Sequence, residues 1–513
     1  MNFSRSSGIL LHPSSLPGRF GVGDLGPQAY AFADFLSASG QGLWQMLPLG
    51  PTGYGDSPYA CYSAFAGNTL LISPDRLVAD GLLQKEDLVG PPESANGRVD
   101  FAAVHKFKEL ILRNAFAAFK RESNPDLRAA FQEFSGRNTG WLDDYALFRA
   151  LKDAHGGIAW NEWEPSLVRR EPDAIQAAQD ELSEQIEAQK FYQFLFFRQW
   201  FDLKSYCNDL GIKIIGDIPI FVAHDSADVW TNPDQFKLHP DGRPVVVAGV
   251  PPDYFSKTGQ LWGNPLYDWE RMLADGFAWW IERVQATLQT VDIVRIDHFR
   301  GFVACWEIPG GDQTAERGRW VEAPGRELFV AIRKALGELP IIAEDLGVIT
   351  PEVEKLRDDF GFPGMRILQF AFSSDPTNRD LPHNYHSNVV VYTGTHDNDT
   401  TVGWFQSVAG EGSTRDSAQI EIEREFCLRY LNTGGQEIGW DFIRAVLQSV
   451  ADTAIVPLQD LLGLGTDARM NLPNSTTGNW SWRFKASELN NELAKRLRDL
   501  TALYGRVAEV VES

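Results

Sequence analysis

The sequence predicts a (β/α)8 barrel, an α/β fold, with mostly helical insertions between barrel strands. Two observations carry this reading. Short apolar runs that end in polar residues recur eight times along the 513 residues, and helical patterns lie between them. Runs of this length, rich in Ile and Val and unbroken by polar alternation, fit strands buried on both faces of a parallel sheet. Strand–helix alternation repeated eight times argues for the closed barrel.

In chain order the runs are GILLHP (8–13), GLWQMLPLG (42–50), IKIIGDIPI (212–220), DIVRIDH (292–298), LPIIAED (339–345), GMRILQF (364–370), NVVVYTGTHD (388–397) and TAIVPLQDLL (453–462). Between them, PQAYAFADFLSASG (27–40) and ELFVAIRKALGE (327–338) carry apolar residues at helical spacing. TPEVEKLRDDFG (350–361) opens with a Thr cap and Pro at the first helical position and ends before Gly. SELNNELAKRLRDLTALYGR (487–506) reads as a closing helix. The gap between the second and third runs is far longer than one crossover needs. It holds helical patterns at 107–122 and 143–157 and a long helix running up to Gly211. The expected organisation is one catalytic barrel over 1–513, with a mostly helical insertion at 75–205. A second excursion at 221–275 is rich in Pro, Gly and aromatics, and its length suits a lid or binding loop.

Composition narrows the function classes. The formal net charge is −22 with no strongly basic stretch, so neither nucleic acid nor an anionic membrane surface is an expected partner. No window approaches the roughly 18 apolar residues of a membrane span. The amino terminus has too short an apolar run for a signal peptide. Cys61, Cys207, Cys305 and Cys427 are widely spaced, with no CxxC pair, which indicates neither a disulfide framework nor a zinc site. A cytoplasmic protein is expected. Aromatics make up 12% of the chain; a surplus in loops would suit the flat faces of sugars.

In such a barrel the active site lies at the carboxyl ends of the strands. The polar residues there are Asp217 (third run), Arg295, Asp297 and His298 (fourth), Glu344 and Asp345 (fifth), and His396 and Asp397 (seventh). Side chains alternate faces with period two. Arg295 and Asp297 therefore share one face, as do Ile342 and Glu344, and Thr395 and Asp397. If those faces point inward, Asp297, Glu344 and Asp397 converge. A lone Asp at a strand end is ordinarily a loop or capping residue. Three carboxylates around one mouth are costly, because like charges resist sharing a site. Retaining glycoside cleavage supplies a reason: it needs an ionised carboxylate as nucleophile and a protonated one as acid, about 5 to 5.5 Å apart. Arg295 would keep Asp297 ionised. Glu344 would donate the proton, and Asp397 could hold sugar hydroxyls. A divalent cation is the competing use of clustered carboxylates; the neighbouring Arg and His residues stand against it. On the residues alone both readings remain open.

RIDHFRGF, IIAEDLG and TGTHDNDT resemble the conserved regions of the α-amylase clan of glycosidases. GDSPYACYSAFAGN (55–68), GDIPIFVAHDSADVW (216–230), GVPPDYFSKTGQLWGNPLYDW (249–269), ARMNLP (468–473) and GNWSWR (478–483) resemble the 4-α-glucanotransferases of glycoside hydrolase family 77, the amylomaltases. The likeness runs from ILLHPSSLPG to the carboxyl terminus. It implies cleavage of an α-1,4-glucan and transfer of the fragment to the 4-hydroxyl of another glucan or of glucose, with no cofactor and no metal. It implies Asp297 as nucleophile, Glu344 as acid/base and Asp397 as the third carboxylate. Arg295, Asp217, His298 and His396 would bind the sugar at the cleavage point, Ser57 would also bind substrate, and Tyr59 would stack on that sugar. Tyr254 and Phe255 would form a lid, Gln260, Trp262 and Asn471 would touch glucan, and Tyr54 would belong to a second glucan site. An α-glucan hydrolase of the same clan is the alternative, and a non-enzymatic binding barrel is the remoter one. Some of these residues have plainer readings: Tyr254 and Phe255 as anchors of their own loop, Trp262 as core, the two histidines as structural.

Overall fold

The structure, a computed structural model, describes residues 4–92, 97–122, 124–252, 258–410, 415–473, 475 and 477–508. Eight parallel strands form the barrel: β1 (Ser6–Leu10), β2 (Leu43–Gln45), β3 (Lys213–Pro219), β6 (Ile293–Asp297), β9 (Ile341–Ala343), β10 (Gly364–Ile367), β11 (Val389–Tyr392) and β12 (Thr453–Pro457). Their hydrogen-bonded order is β10-β11-β12-β1-β2-β3-β6-β9. Seven of them fall within one of the eight apolar runs, and β1 overlaps the first run but starts two residues before it. Ile and Val dominate because these strands are covered on both sides, by barrel interior and by the surrounding helices; β12, for example, is buried at all five positions.

The seam between β9 and β10 is closed differently. One backbone bond crosses it, from Ala343 N–H to Pro363 O at 2.9 Å. The side chain of Asp345 supplies the rest. It accepts from Met365 N–H at 2.7 Å and pairs with Arg357 and Arg366. Gly364 is required there: a Cβ on it would lie 2.6 Å from Asp345 Oδ2.

The long gap between β2 and β3 is helical, with Phe101–Glu122, Pro125–Arg137, Thr139–Ala154, Pro172–Glu181 and Ser183–Asp209 as its main helices. Phe119, Phe131, Phe191 and Phe194 interlock across three of them, with ring centroids 4.3 to 6.1 Å apart. No helix among the described residues is long and apolar enough to cross a membrane.

Three local expectations change. A four-stranded antiparallel sheet, ordered β5-β4-β7-β8, stands beside the barrel mouth, where the sequence reading placed no strand. It is built from β4 (Val246–Val250), β5 (Gln260–Pro265), β7 (Ala304–Pro309) and β8 (Arg319–Glu322). Its strands are short and partly exposed and include Gly and Pro, so no apolar run marks them. The closing helix spans Asn491–Leu503 and not 487–506, because Asn490 caps it by accepting from Leu493 N–H. Thr350 does sit at the N-cap of the helix Pro351–Asp359, but its side chain takes no bond from a helix N–H. All four cysteines are free, and Cys207, Cys305 and Cys427 are buried.

Candidate active site

The third and sixth strands pair in register, Asp217 opposite Arg295 and Pro219 opposite Asp297. Arg295 therefore reaches both carboxylates. Its Nη1 donates to Asp217 Oδ2 at 2.5 Å, and its Nη2 lies 3.0 Å from Asp297 Oδ1. Both Arg295 and Asp217 are 3% exposed. Burial pushes the Asp217 carboxyl up and Arg295 pulls it back. One guanidinium bridging two carboxylates is a task for its planar fork of donors.

Glu344 comes one residue beyond β9. The ladder nevertheless continues through it: Glu344 N–H donates to Ile296 O at 3.0 Å, and Phe299 N–H donates to Glu344 O at 3.1 Å. Ile296 faces Ala343, so the next pair in register is Asp297 and Glu344, on strands whose usual separation is about 4.8 Å. Both Glu344 oxygens are held, Oε2 by His298 N–H at 2.7 Å and Oε1 by Leu346 N–H at 2.6 Å. These bonds favour the ionised form. Burial opposes them, the Asp297 charge adds to burial, and the pKa rises from 4.5 to about 8. One carboxylate paired with Arg beside one kept protonated is the division of labour that retaining glycoside chemistry needs.

Asp397 arrives by another route than the pleat. Strand β11 ends at Tyr392, and residues 393–397 form a turn in which Thr395 N–H and Oγ1 both bond Asn398 Oδ1. The face-alternation argument for Asp397 therefore fails, although the residue does reach the cleft. Asn471 Nδ2 donates to its Oδ1 at 2.6 Å, and His396 Nε2 lies 3.4 Å from its Oδ2. Asp345, also a strand-end candidate, belongs to the barrel seam and is fully buried.

Around these groups lies a cleft of about 750 Å³. Tyr59 donates to Asp217 Oδ2 at 2.8 Å and stacks on His396 at 5.2 Å. Ser57 Oγ accepts from Tyr59 N–H and helps shape that loop. Trp262 meets His298 edge-on at 4.8 Å and donates to Gln260 Oε1. It is 38% exposed, so it is not core. Burial lowers the His298 pKa to about 4, leaving a neutral ring at the mouth. Tyr54 also lines the cleft and is 83% exposed, the most open aromatic at the site. Tyr254 and Phe255 lie outside the described residues. No cluster of three or more His, Cys, Asp or Glu suited to a metal occurs among the described residues.

Two residues that pack against the side chains or backbone of the site escaped the sequence reading. Trp480 stands 5.9 Å from Tyr59 and 6.0 Å from His396, with a left-handed backbone. Arg469 donates to Asp397 O at 2.7 Å and to Asn471 O at 2.8 Å. Both sit within motifs quoted above, but in loops beyond the last strand, where a strand-end rule does not look.

Residues 11–489 match the model of glycoside hydrolase family 77, described as 4-alpha-glucanotransferase. The chain belongs to that family. It is similar to a 4-alpha-glucanotransferase of Synechocystis (54% identical, 98% of each chain) and to one of Thermus thermophilus (51%, 97% of this chain and 98% of the other). Among solved structures, the amylomaltase of Streptococcus agalactiae in complex with acarbose superposes with a TM-score of 0.93 at 41% identity, over 98% of this chain and all of that one. The amylomaltase of Corynebacterium glutamicum, at 19% identity and a TM-score of 0.77, shares the fold.

Proposed function

We propose that this family 77 member is a 4-α-glucanotransferase working by double displacement through Asp297, Glu344 and Asp397. The carrying observation is the contrast between neighbouring carboxyls, Asp297 paired with Arg295 and Glu344 raised to about 8. An Asp297 oxygen attacks the anomeric carbon of an α-1,4-linked glucose. The bond to the leaving glucan breaks, and Glu344 gives its proton to the departing oxygen. An acceptor 4-hydroxyl then attacks the glucosyl ester and returns its proton to Glu344. Asp297 leaves as carboxylate, and the anomeric configuration is retained. Asp397, held by Asn471, is placed for the hydroxyls of the same sugar, and Tyr59 for its face.

Donors are α-1,4-glucans, and acceptors are glucans or glucose. Transfer requires that sugar outcompete water at the ester. The aromatic walls of Tyr59, Trp262 and Trp480 support that, and Tyr254 and Phe255 are assigned to a closing lid. The free cysteines and acidic charge support a cytoplasmic setting. The test is incubation with maltotriose alone. Glucose plus a ladder of longer maltooligosaccharides is the expected outcome; glucose and maltose without longer products would mean hydrolysis.

A further inference from the structure

We propose that Arg300 is a positioning residue for the proton donor: it holds the 346–349 segment so that Leu346 N–H stays on the Glu344 carboxyl. The proposal rests on Glu344 as the acid of the transfer reaction. Arg300 stands in RIDHFRGF, two residues past His298, and no step of that reaction uses it.

Two N–H groups grip Glu344, and they come from different segments. His298 N–H holds Oε2, and Leu346 N–H holds Oε1. Arg300 joins the two segments. It lies in the same turn as His298, closed by Gly301 N–H to His298 O at 2.9 Å. Its Nη1 donates to Val348 O at 2.6 Å. A ring results, running from Glu344 through His298, Arg300, Val348 and Leu346 back to Glu344. Among the described residues, the 346–349 segment makes two hydrogen bonds, one from Leu346 N–H to Glu344 and one from Arg300 to Val348 O. Leu346 and Ile349 also pack against the core. Apolar packing is not directional. It fixes where the segment runs, whereas the bond to Val348 O fixes how its peptides are turned.

Arg300 is itself braced. It is buried, and among the described residues no carboxylate pairs with it. A buried charge without a counter-charge is costly, and an aromatic face offsets part of that cost. Arg300 Cζ sits 3.9 Å from the centroid of the Trp320 ring. Trp320 stands opposite Trp306 in the β7–β8 ladder, with ring centroids 5.3 Å apart. Strand β7 pairs with β4, and β4 with β5, which carries Gln260 and Trp262. The side sheet that lines the cleft therefore also seats the residue that holds the acid's loop.

The experiment compares Arg300→Met, Arg300→Lys and Trp320→Leu with the parent chain on two donors. Maltotriose needs the acid, whereas glucosyl fluoride needs little acid help. Arg300→Met should lose roughly ten- to a hundredfold in kcat on maltotriose and release fluoride in its first turnover at the parent's rate. Arg300→Lys keeps a charged donor for Val348 O and should recover most of that loss. Trp320→Leu leaves the charge in place and should lose about two- to fivefold, again on maltotriose alone. The Leu346 bond favours the ionised carboxyl of Glu344, and Asp297 and Arg295, the charges that face it, are untouched. The alkaline limb of kcat/KM on maltotriose should therefore move to higher pH in the Met and Leu variants. Equal losses on both donors, an unmoved alkaline limb, or unchanged maltotriose kinetics would overturn the proposal. Should Arg300→Met not fold, Trp320→Leu decides by the same readouts. Failure of these arms leaves Glu344 as the acid. Parental turnover of maltotriose by Glu344→Gln would overturn that assignment and the proposal with it.

Discussion

The backbone N–H of His298 donates to Glu344 Oε2, and it can do so because His298 adopts a left-handed backbone with φ of 54°. The residue that follows one candidate carboxylate thus orients the other. His, Asn and Asp tolerate this conformation better than other non-glycine residues, and β-branched residues do not. His298→Asn should fold with the stability of the parent. His298→Val should lose on the order of 1–3 kcal/mol. Chemical denaturation of the two variants measures the difference, and equal stabilities would mean that the turn can relax.

Glu344 controls both rate and stability through its proton. Its pKa is about 8 in the folded protein against 4.5 ordinarily, from burial first and Asp297 second. A general acid must begin protonated, so kcat/KM for donor cleavage should fall as pH rises through about 8. Between 4.5 and about 8 the folded state keeps a proton that the unfolded chain releases. This group therefore makes stability fall as pH rises across that window, and the penalty is absent below it. Glu344→Gln cannot bind that proton, so its unfolding free energy should slope less steeply downward with pH there. Equal slopes would reject the raised pKa. The same variant should lose about 10²–10⁴-fold in turnover of natural glucans and still be loaded by glucosyl fluoride, whose leaving group needs little acid help.

Arg295 is asked to hold two carboxylates. Arg295→Met would leave Asp217, 3% exposed, without its cation, at a cost of about 3–5 kcal/mol. Arg295→Lys keeps the charge but offers a single ammonium in place of a fork. It should recover most of the stability and little of the turnover. Denaturation midpoints and maltotriose kinetics separate the two effects, and full activity in the Lys variant would remove the bridging role.

The barrel was legible because its strands are buried on both faces, which forces Ile and Val at Ile293, Val294 and Ile296 and at Val389–Val391. Arg295 and Asp297 were legible because they extend such a strand, where the pleat decides which side chains share a face. Asp397 showed the limit of that rule: it was found for a geometric reason that the turn at 393–397 does not obey. The antiparallel sheet carrying Gln260 and Trp262 was not legible, since half-exposed short strands lack a continuous apolar run. Asp345 stands next to Glu344 yet points into the seam. Period two says that neighbours face opposite ways, and it does not say which of the two is inside.

Asn471 tests the hold on Asp397. It contributes a charge-assisted hydrogen bond of 2.6 Å, typically worth about 1.5–3 kcal/mol. Asn471→Ala should lower kcat by roughly ten- to a hundredfold. Asn471→Asp should lower it further, because it replaces a donor with a like charge against Asp397. An Asp variant more active than the Ala variant would show that Asp397 does not depend on this contact.

Asp345 separates scaffold from chemistry within a single motif. It is fully buried at the β9–β10 seam, where it meets Arg357, Arg366 and Met365 N–H. Asp345→Ala strands two guanidinium groups beside the gap and should cost on the order of 3–5 kcal/mol. Asp345→Asn keeps an acceptor for Met365 N–H but loses the charge, and should fall between. Neither change touches the cleft. At a temperature where each variant remains folded, the KM for maltotriose should match the parent while the melting temperature drops. A KM that shifts with little loss of stability would place Asp345 in the catalytic site after all, and would return both carboxylates of AED to the mouth of the barrel.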